Sequence, residues 1–185
     1  MFLSSIISYS CNEYTPKPSA YQRIDRAEIE YLKFENKDFS FTYPSDAQIK
    51  KQMAEKNNEF WFNLQYPQYG AIIYCSYLSV KKENINKVLD DSYQLAYSHA
   101  SKANGISQSQ FTNQENHTSG IIYDIDGKVA VPIQFYVTDG VSNFLRGSLY
   151  FNNVVDQDSV APIIHFLRND IVHIMETVEW KNQIK

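Results

Sequence analysis

Glycine is scarce in this 185-residue chain: six occur, at 70, 105, 120, 127, 140 and 147, and no two lie closer than seven residues. That spacing excludes the GxGxxG dinucleotide fingerprint, the P-loop and the GxSxG nucleophile elbow. Each needs close glycines so that backbone can approach phosphate or turn sharply. Cysteine is scarcer still. Cys11 and Cys75 stand 64 positions apart and form no CxxC pair, and His99, His117, His165 and His173 form no HExxH. Positive charge is also short: 17 Lys and Arg against 21 Asp and Glu leave a net charge of −4. No broad basic surface exists for counterion release, so nucleic acid is not the expected partner.

What the chain does have is aromatic and apolar mass. Its 14 Tyr, 11 Phe and 2 Trp, within an apolar fraction of 43%, supply the buriable surface of one folded core and exclude global disorder. The length fits a single domain with a tail.

Residues 1–11, Met-Phe-Leu-Ser-Ser-Ile-Ile-Ser-Tyr-Ser-Cys, are a short apolar run ending in small residues before Cys11. That is the shape of a bacterial lipoprotein signal whose cysteine is acylated, although no Lys or Arg precedes it and Ser8 stands where Leu is usual. The plainer alternative is a frayed tail with a free thiol. Residues 12–38 read as an extended tether, because Pro16 and Pro18 deny ladder hydrogen bonds and favour polyproline-like backbone. Its aromatic content exceeds what a spacer needs, which makes Tyr14, Pro16, Lys17, Pro18, Tyr21 and Arg23 candidates for partner binding. The folded domain is expected over 39–181, with a short tail at 182–185.

Period-two alternation predicts strands at Phe39–Tyr43, Phe60–Tyr66 and Ala71–Val80, the last two joined as a hairpin through Pro67-Gln68-Tyr69-Gly70. Both faces of Ala71–Val80 are apolar or aromatic, which predicts a central strand covered on both sides. Asn84–Ala103 reads as a helix capped by Asn84 and stopped at Asn104-Gly105. A meander follows at Ser119–Asp126, Val129–Thr138 and Asn143–Asn152, turned at Asp126-Gly127 and Asp139-Gly140, with a weaker strand at Ile106–Thr112. The last helix places Val160, Ile163, Ile164, Leu167, Ile171, Ile174, Met175 and Val178 on one stripe, with Ser159 as cap and Pro162 in the first turn. The sum is an α+β fold: an antiparallel sheet of about six strands flanked by two main helices, in an order that resembles the Mog1/PsbP-like sandwich.

No catalytic residue, metal site or cofactor is read from the remaining side chains. Asp124-Ile125-Asp126-Gly127 lacks the further acidic positions of a calcium loop and reads as a turn. His165 and His173 are two helical turns apart, too far to share a metal. Glu176 and Glu179 read as solvated charge at a helix end. Arg146, alternating with Phe144 and Ser148, either neutralises a buried carboxylate or binds an acidic group of a partner. Cys75 reads as a small buried hydrophobe.

Several stretches together resemble the gliding-motility lipoprotein GldD family of Bacteroidetes. They include Cys11 with Tyr14-Thr15-Pro16-Lys17-Pro18 and Tyr21-Gln22-Arg23-Ile24; Phe39-Ser40-Phe41 with Tyr43-Pro44; Trp61-Phe62-Asn63; Asp91-Ser92-Tyr93-Gln94-Leu95-Ala96-Tyr97; Gly120-Ile121-Ile122-Tyr123-Asp124-Ile125; Phe144-Leu145-Arg146-Gly147-Ser148-Leu149-Tyr150-Phe151; and Ala161-Pro162 through Phe166-Leu167-Arg168-Asn169-Asp170 to Trp180. The resemblance implies a non-enzymatic, membrane-anchored lipoprotein lipidated at Cys11, required for gliding and the linked type IX secretion machinery. Its expected partners are other components of that apparatus, with no small-molecule substrate. Asn-Glu-Tyr-Thr after Cys11 lacks the acidic cluster of surface-exported relatives, which implies a periplasm-facing anchor. Relatives carry cysteines near the positions of Asp38 or Phe39 and Phe60 that could pair; this chain has none there. The alternative from another class is an envelope ligand-binding domain or cryptic hydrolase, which requires a pocket with convergent polar groups around Arg146.

Overall fold

The computed structural model describes residues 26–53, 58–98, 100–152 and 157–181. In chain order the elements are β1 Tyr31–Glu35, β2 Phe39–Pro44, β3 Gln48–Gln52, β4 Glu59–Tyr66, β5 Ala71–Ser79, α1 Ile85–Tyr97, β6 Ala103–Asn113, β7 Thr118–Gly127, β8 Ile133–Thr138, β9 Asn143–Phe151, α2 Gln157–Thr177 and β10 Glu179–Trp180. They form an α+β fold with two antiparallel sheets. A three-stranded sheet runs β1-β2-β10, and a seven-stranded sheet runs β3-β4-β5-β9-β8-β7-β6. About six strands were expected; the described residues hold ten.

The extra strands are those with little apolar pattern. β1 buries Phe34 and leaves its other four residues exposed, and β3 has Ile49 as its one apolar residue. β1 also corrects the tether: residues 26–38, expected in the extended segment, are part of the folded body. β1 pairs with β2 from Tyr31↔Pro44 to Glu35↔Ser40.

β2 is the middle strand of the small sheet, and its alternation buries Phe39 and Phe41 against the large sheet. There Phe34, Phe39 and Phe41 meet Phe60, Phe62 and Tyr77, with ring centroids 4.9–6.2 Å apart. Phe39 and Phe60 touch edge-on at 6.2 Å. Beside the small sheet, α2 lays Leu167, Ile171, Ile174 and Met175 into the same core. The helix begins at Gln157, so Pro162 lies inside it rather than in its first turn. The missing N–H deprives the helix of one bond near its N-terminal end.

The β4–β5 hairpin turns as expected, with Gly70 left-handed at φ 59° after a single 3-10 turn, Pro67–Tyr69. β5 is hydrogen-bonded on both edges, yet it is covered on one face alone. Ala71, Ile73, Cys75 and Tyr77 are buried, whereas Tyr74 on the other face is 46% exposed. α1 is shorter than predicted and ends at Tyr97, because Ala103 already begins β6; Asn84 precedes the helix without a side-chain cap bond. Asn104-Gly105 is therefore an irregularity in a strand, where pairing shifts between Ala103 and Gly105. Asp126-Gly127 likewise ends β7 and pairs with β6, leaving residues 128–132 to reverse the chain into β8.

The Asp139-Gly140 turn between β8 and β9 is built on a carboxylate. Asp139 accepts bonds from the backbone N–H groups of Val141, Ser142 and Asn143 at 2.8–2.9 Å and from Asn143 Nδ2 at 2.7 Å. Burial raises its pKa, but these donors outweigh burial and hold the carboxyl below its usual range. A depressed folded pKa stabilises above the unfolded value of about 3.9, and that stability is lost as pH falls through the folded value. Asp139→Asn should lower the urea midpoint near neutral pH and shrink its loss on acidification to about pH 3. In the core, Leu167 is fully buried, and Leu167→Ala should cost about 2–5 kcal/mol in urea unfolding. An unchanged midpoint would place the helix's core face elsewhere.

Candidate interaction surface

One face of the seven-stranded sheet carries the small sheet and α2; the other carries α1, where Tyr97 meets Tyr123 edge-on at 6.4 Å. α1 stands at the β7 side. On β5 and β9 this second face is exposed at Tyr74, Arg146 and Tyr150, whereas Phe144, Asn63 and Gln134 on the same face are buried, and strand register aligns its side chains in cross-strand rows. One row runs Gln52, Trp61, Ser76, Arg146 and Tyr136; the next runs Lys50, Asn63, Tyr74, Ser148 and Gln134. A third ends in Ile72 and Tyr150. These rows contain two cations and no carboxylate, on a chain whose net charge is −4.

Arg146 is exposed and donates from Nε to Ser76 Oγ at 3.1 Å. Among the described residues no carboxylate pairs with it; its neighbours in the row are Ser76 and Tyr136. Tyr74, one row from Arg146, and Tyr150, two rows from it, meet each other edge-to-face at 5.3 Å and are 46% and 37% exposed. Exposed Tyr and Arg above a rigid strand pair offer large contact area at small entropy cost, the composition of binding surfaces. Cys11, Tyr14, Pro16, Lys17, Pro18, Tyr21 and Arg23 lie outside the described residues.

The other singled-out residues are structural. Arg168 pairs bidentately with Asp124 at 2.8 and 3.0 Å in a groove of about 540 Å³ between β6, β7 and α2, which His165 and Asp126 also line. The hydrogen bonds from Arg168 commit Asp124 and raise the guanidinium's pKa. His173 stacks on Tyr31 at 3.8 Å and bonds Thr42 Oγ1 at 2.7 Å, and burial lowers its pKa. Glu179 is not on the helix with Glu176; it lies in β10 and accepts from Ser40 Oγ at 3.2 Å. Cys75 is buried, and desolvation pushes its thiol far up. Among the described residues no three His, Cys, Asp or Glu side chains gather as a metal site, and no helix is long and apolar enough to cross a membrane.

Sequence reasoning missed a further cluster, at the start of the described chain. Arg26 reaches Asp46 after β2 through Nε and one terminal nitrogen at 2.8 and 2.7 Å, and Asp170 on α2 through both terminal nitrogens at 2.8 Å. The Arg26 and Asp170 side chains are 9% and 3% exposed, and Asp46 is 29% exposed. Burial opposes the guanidinium's charge, but the two carboxylates outweigh it and raise its pKa. Burial also raises the pKa of Asp170, with Arg26 offsetting part of the shift. The Tyr66 hydroxyl is buried next to them, and burial followed by the Asp170 charge raises its pKa. No single residue of this set stands out in sequence, because its members lie 20 and 144 positions apart.

Removing one partner of a buried pair strands the other charge. Arg26→Ala should therefore cost about 3–5 kcal/mol in urea unfolding. The double variant Arg26→Met/Asp170→Leu should recover much of that. Equal midpoints for both variants would show that Asp170 is not the group left stranded.

The family model described as "Gliding motility lipoprotein GldD" matches residues 11–180, from the candidate lipidation cysteine to β10. No curated protein matches the chain. With that match spanning the open sheet face, the Arg26 clamp and nearly the whole fold, the chain belongs to the gliding motility lipoprotein GldD family.

Proposed function

We propose that this chain serves gliding motility as a lipid-anchored, periplasm-facing component that acts by protein–protein binding, in an apparatus linked to type IX secretion. Family membership supports the motility role and the lipoprotein character. The binding mode rests on one observation: the open rows around Arg146, with Tyr74 and Tyr150 uncovered beside it. Rows with two cations, four half-exposed or exposed aromatics and no carboxylate, bordered by Glu59 in the next row, suit a partner that presents acidic groups. The lipid is carried by Cys11, and Tyr14, Pro16, Lys17, Pro18, Tyr21 and Arg23 contribute from the segment that follows it. Pro-rich segments dock at low ordering cost. The order of hairpin, helix, meander and long helix supports a Mog1/PsbP-like relationship for the body.

Arg146 is exposed and its loss leaves no buried group unpaired, so Arg146→Glu should fold with an unchanged urea midpoint. In cells it should stay membrane-bound and abolish gliding, and crosslinks from a photoreactive residue at Tyr150 should disappear with it. Wild-type gliding by Arg146→Glu, and by a Tyr74→Ser/Tyr150→Ser variant, would remove this face from the function. Replacing 14–24 with a Gly/Ser spacer tests the N-terminal contribution separately.

A further inference from the structure

The seven-stranded sheet ends in two edges of opposite character. β3, Gln48–Gln52, is five residues long and carries Lys50 and Lys51. Short, lysine-bearing edges block pairing with a second sheet. β6, Ala103–Asn113, is eleven residues long and contains no charged residue and no proline. It pairs with β7 on one side, and its other side lies at the end of the sheet. Ser107, Gln108, Ser109 and Gln110 are all exposed. Alternate N–H and C=O groups along this edge therefore point away from the sheet with no strand to receive them among the described residues.

We propose that β6 pairs antiparallel with β6 of a second copy of this chain, about a twofold axis at Gln108, joining the two large sheets into one. The charge pattern selects this occupant. An antiparallel dyad at Gln108, the centre of the strand, sets Ala103 against Asn113 of the other copy. Lys102, just before the strand, then faces Gln114 of the other copy, with Glu115 one position further on and within reach of the long lysine side chain, and the same arrangement forms at the opposite end. Lys102 and Glu115 are both exposed, and neither makes an ion pair among the described residues. Within the ladder the dyad sets Ser107 against Ser109 and Gln108 against Gln108, pairs that neutral hydroxyls and amides tolerate and can hydrogen-bond across, while Gln110 faces Ile106. The same operation on β3 would set lysine against lysine. The contact is isologous, so it closes at two copies.

The test is analytical ultracentrifugation of the full chain carrying Cys11→Ser, which removes acylation as a cause of association. A concentration-dependent dimer is expected. Gln108→Lys/Gln110→Lys and Gln108→Glu/Gln110→Glu should each sediment as monomers with unchanged urea midpoints, since both side chains are exposed. Mixing the two variants should restore the dimer, because opposite charges then face each other. Lys102→Glu should weaken the dimer, and Lys102→Glu/Glu115→Lys should rescue it. A monomer at the highest soluble concentration overturns self-pairing and leaves the edge to a foreign strand. A dimer indifferent to the lysine and glutamate pairs, or variants that fail to recombine on mixing, overturns it as well.

Discussion

The structure depends on the ring packing between the small sheet and the large one. Phe39 and Phe41 alternate inward from β2 and meet Phe60, Phe62 and Tyr77 on β4 and β5. Each such aromatic buries a large area and adds a modest geometric preference beyond it. Because β2 holds β1 on one edge and β10 on the other, this contact also fixes both ends of the described chain. Trp180 of β10 closes on Phe39 and Tyr77 at 6.2 Å, so the segment after α2 returns to the same cluster.

Covering one face of a seven-stranded sheet with a small sheet and a long helix leaves the second face to a thirteen-residue helix. α1 is too short to span the strands, so it covers the β7 side and leaves Tyr74, Arg146 and Tyr150 of β5 and β9 exposed, although Phe144 on the same face is buried. The residues there are ones that tolerate half-exposure: Tyr has an apolar body with a polar tip, and Arg keeps its charge in water above an aliphatic stem. Openness and composition thus have one origin. A fully apolar face at this place would aggregate, and a fully polar one would offer little binding area.

Elements with strong periodicity were legible in the sequence: β2, the β4–β5 hairpin, β7, β9 and α2 stand where the alternation or the helical stripe places them. The misses have physical reasons. β1 buries Phe34 alone and β3 is an exposed edge strand, so neither carries a pattern that a covered face would impose. The overlong α1 comes from taking Asn104-Gly105 as its stop, although the helix ends at Tyr97 and Ala103 already belongs to β6. β5 was read as covered on both faces because Ile72, Tyr74 and Leu78 are apolar or aromatic; tyrosine's amphipathic ring does not reveal whether a layer lies above it. Arg146 could be singled out from its place among aromatics, but its partner could not, since Ser76 is 70 positions away. The Arg26 clamp was hidden for the same reason.

That clamp changes what the anchor can do. If chain were free from Cys11 to Asp38, the body could stand roughly 90 Å from the membrane, at about 3.3–3.6 Å per residue. Arg26 is instead fixed between Asp46 and Asp170, and β1 follows at once. Fifteen residues separate Cys11 from Arg26, which limits the reach from a lipid on Cys11 to roughly 50 Å. On the proposed reading, with a lipid on Cys11 and a partner at this face, that partner would lie within that distance of the bilayer plus the width of the body. Confinement of this kind raises the effective concentration of the face toward anything anchored in the same membrane. The buried Arg26–Asp170 pair contributes little net stability by comparison with an apolar pair, and what it does structurally is fix the first described residue of the chain to α2.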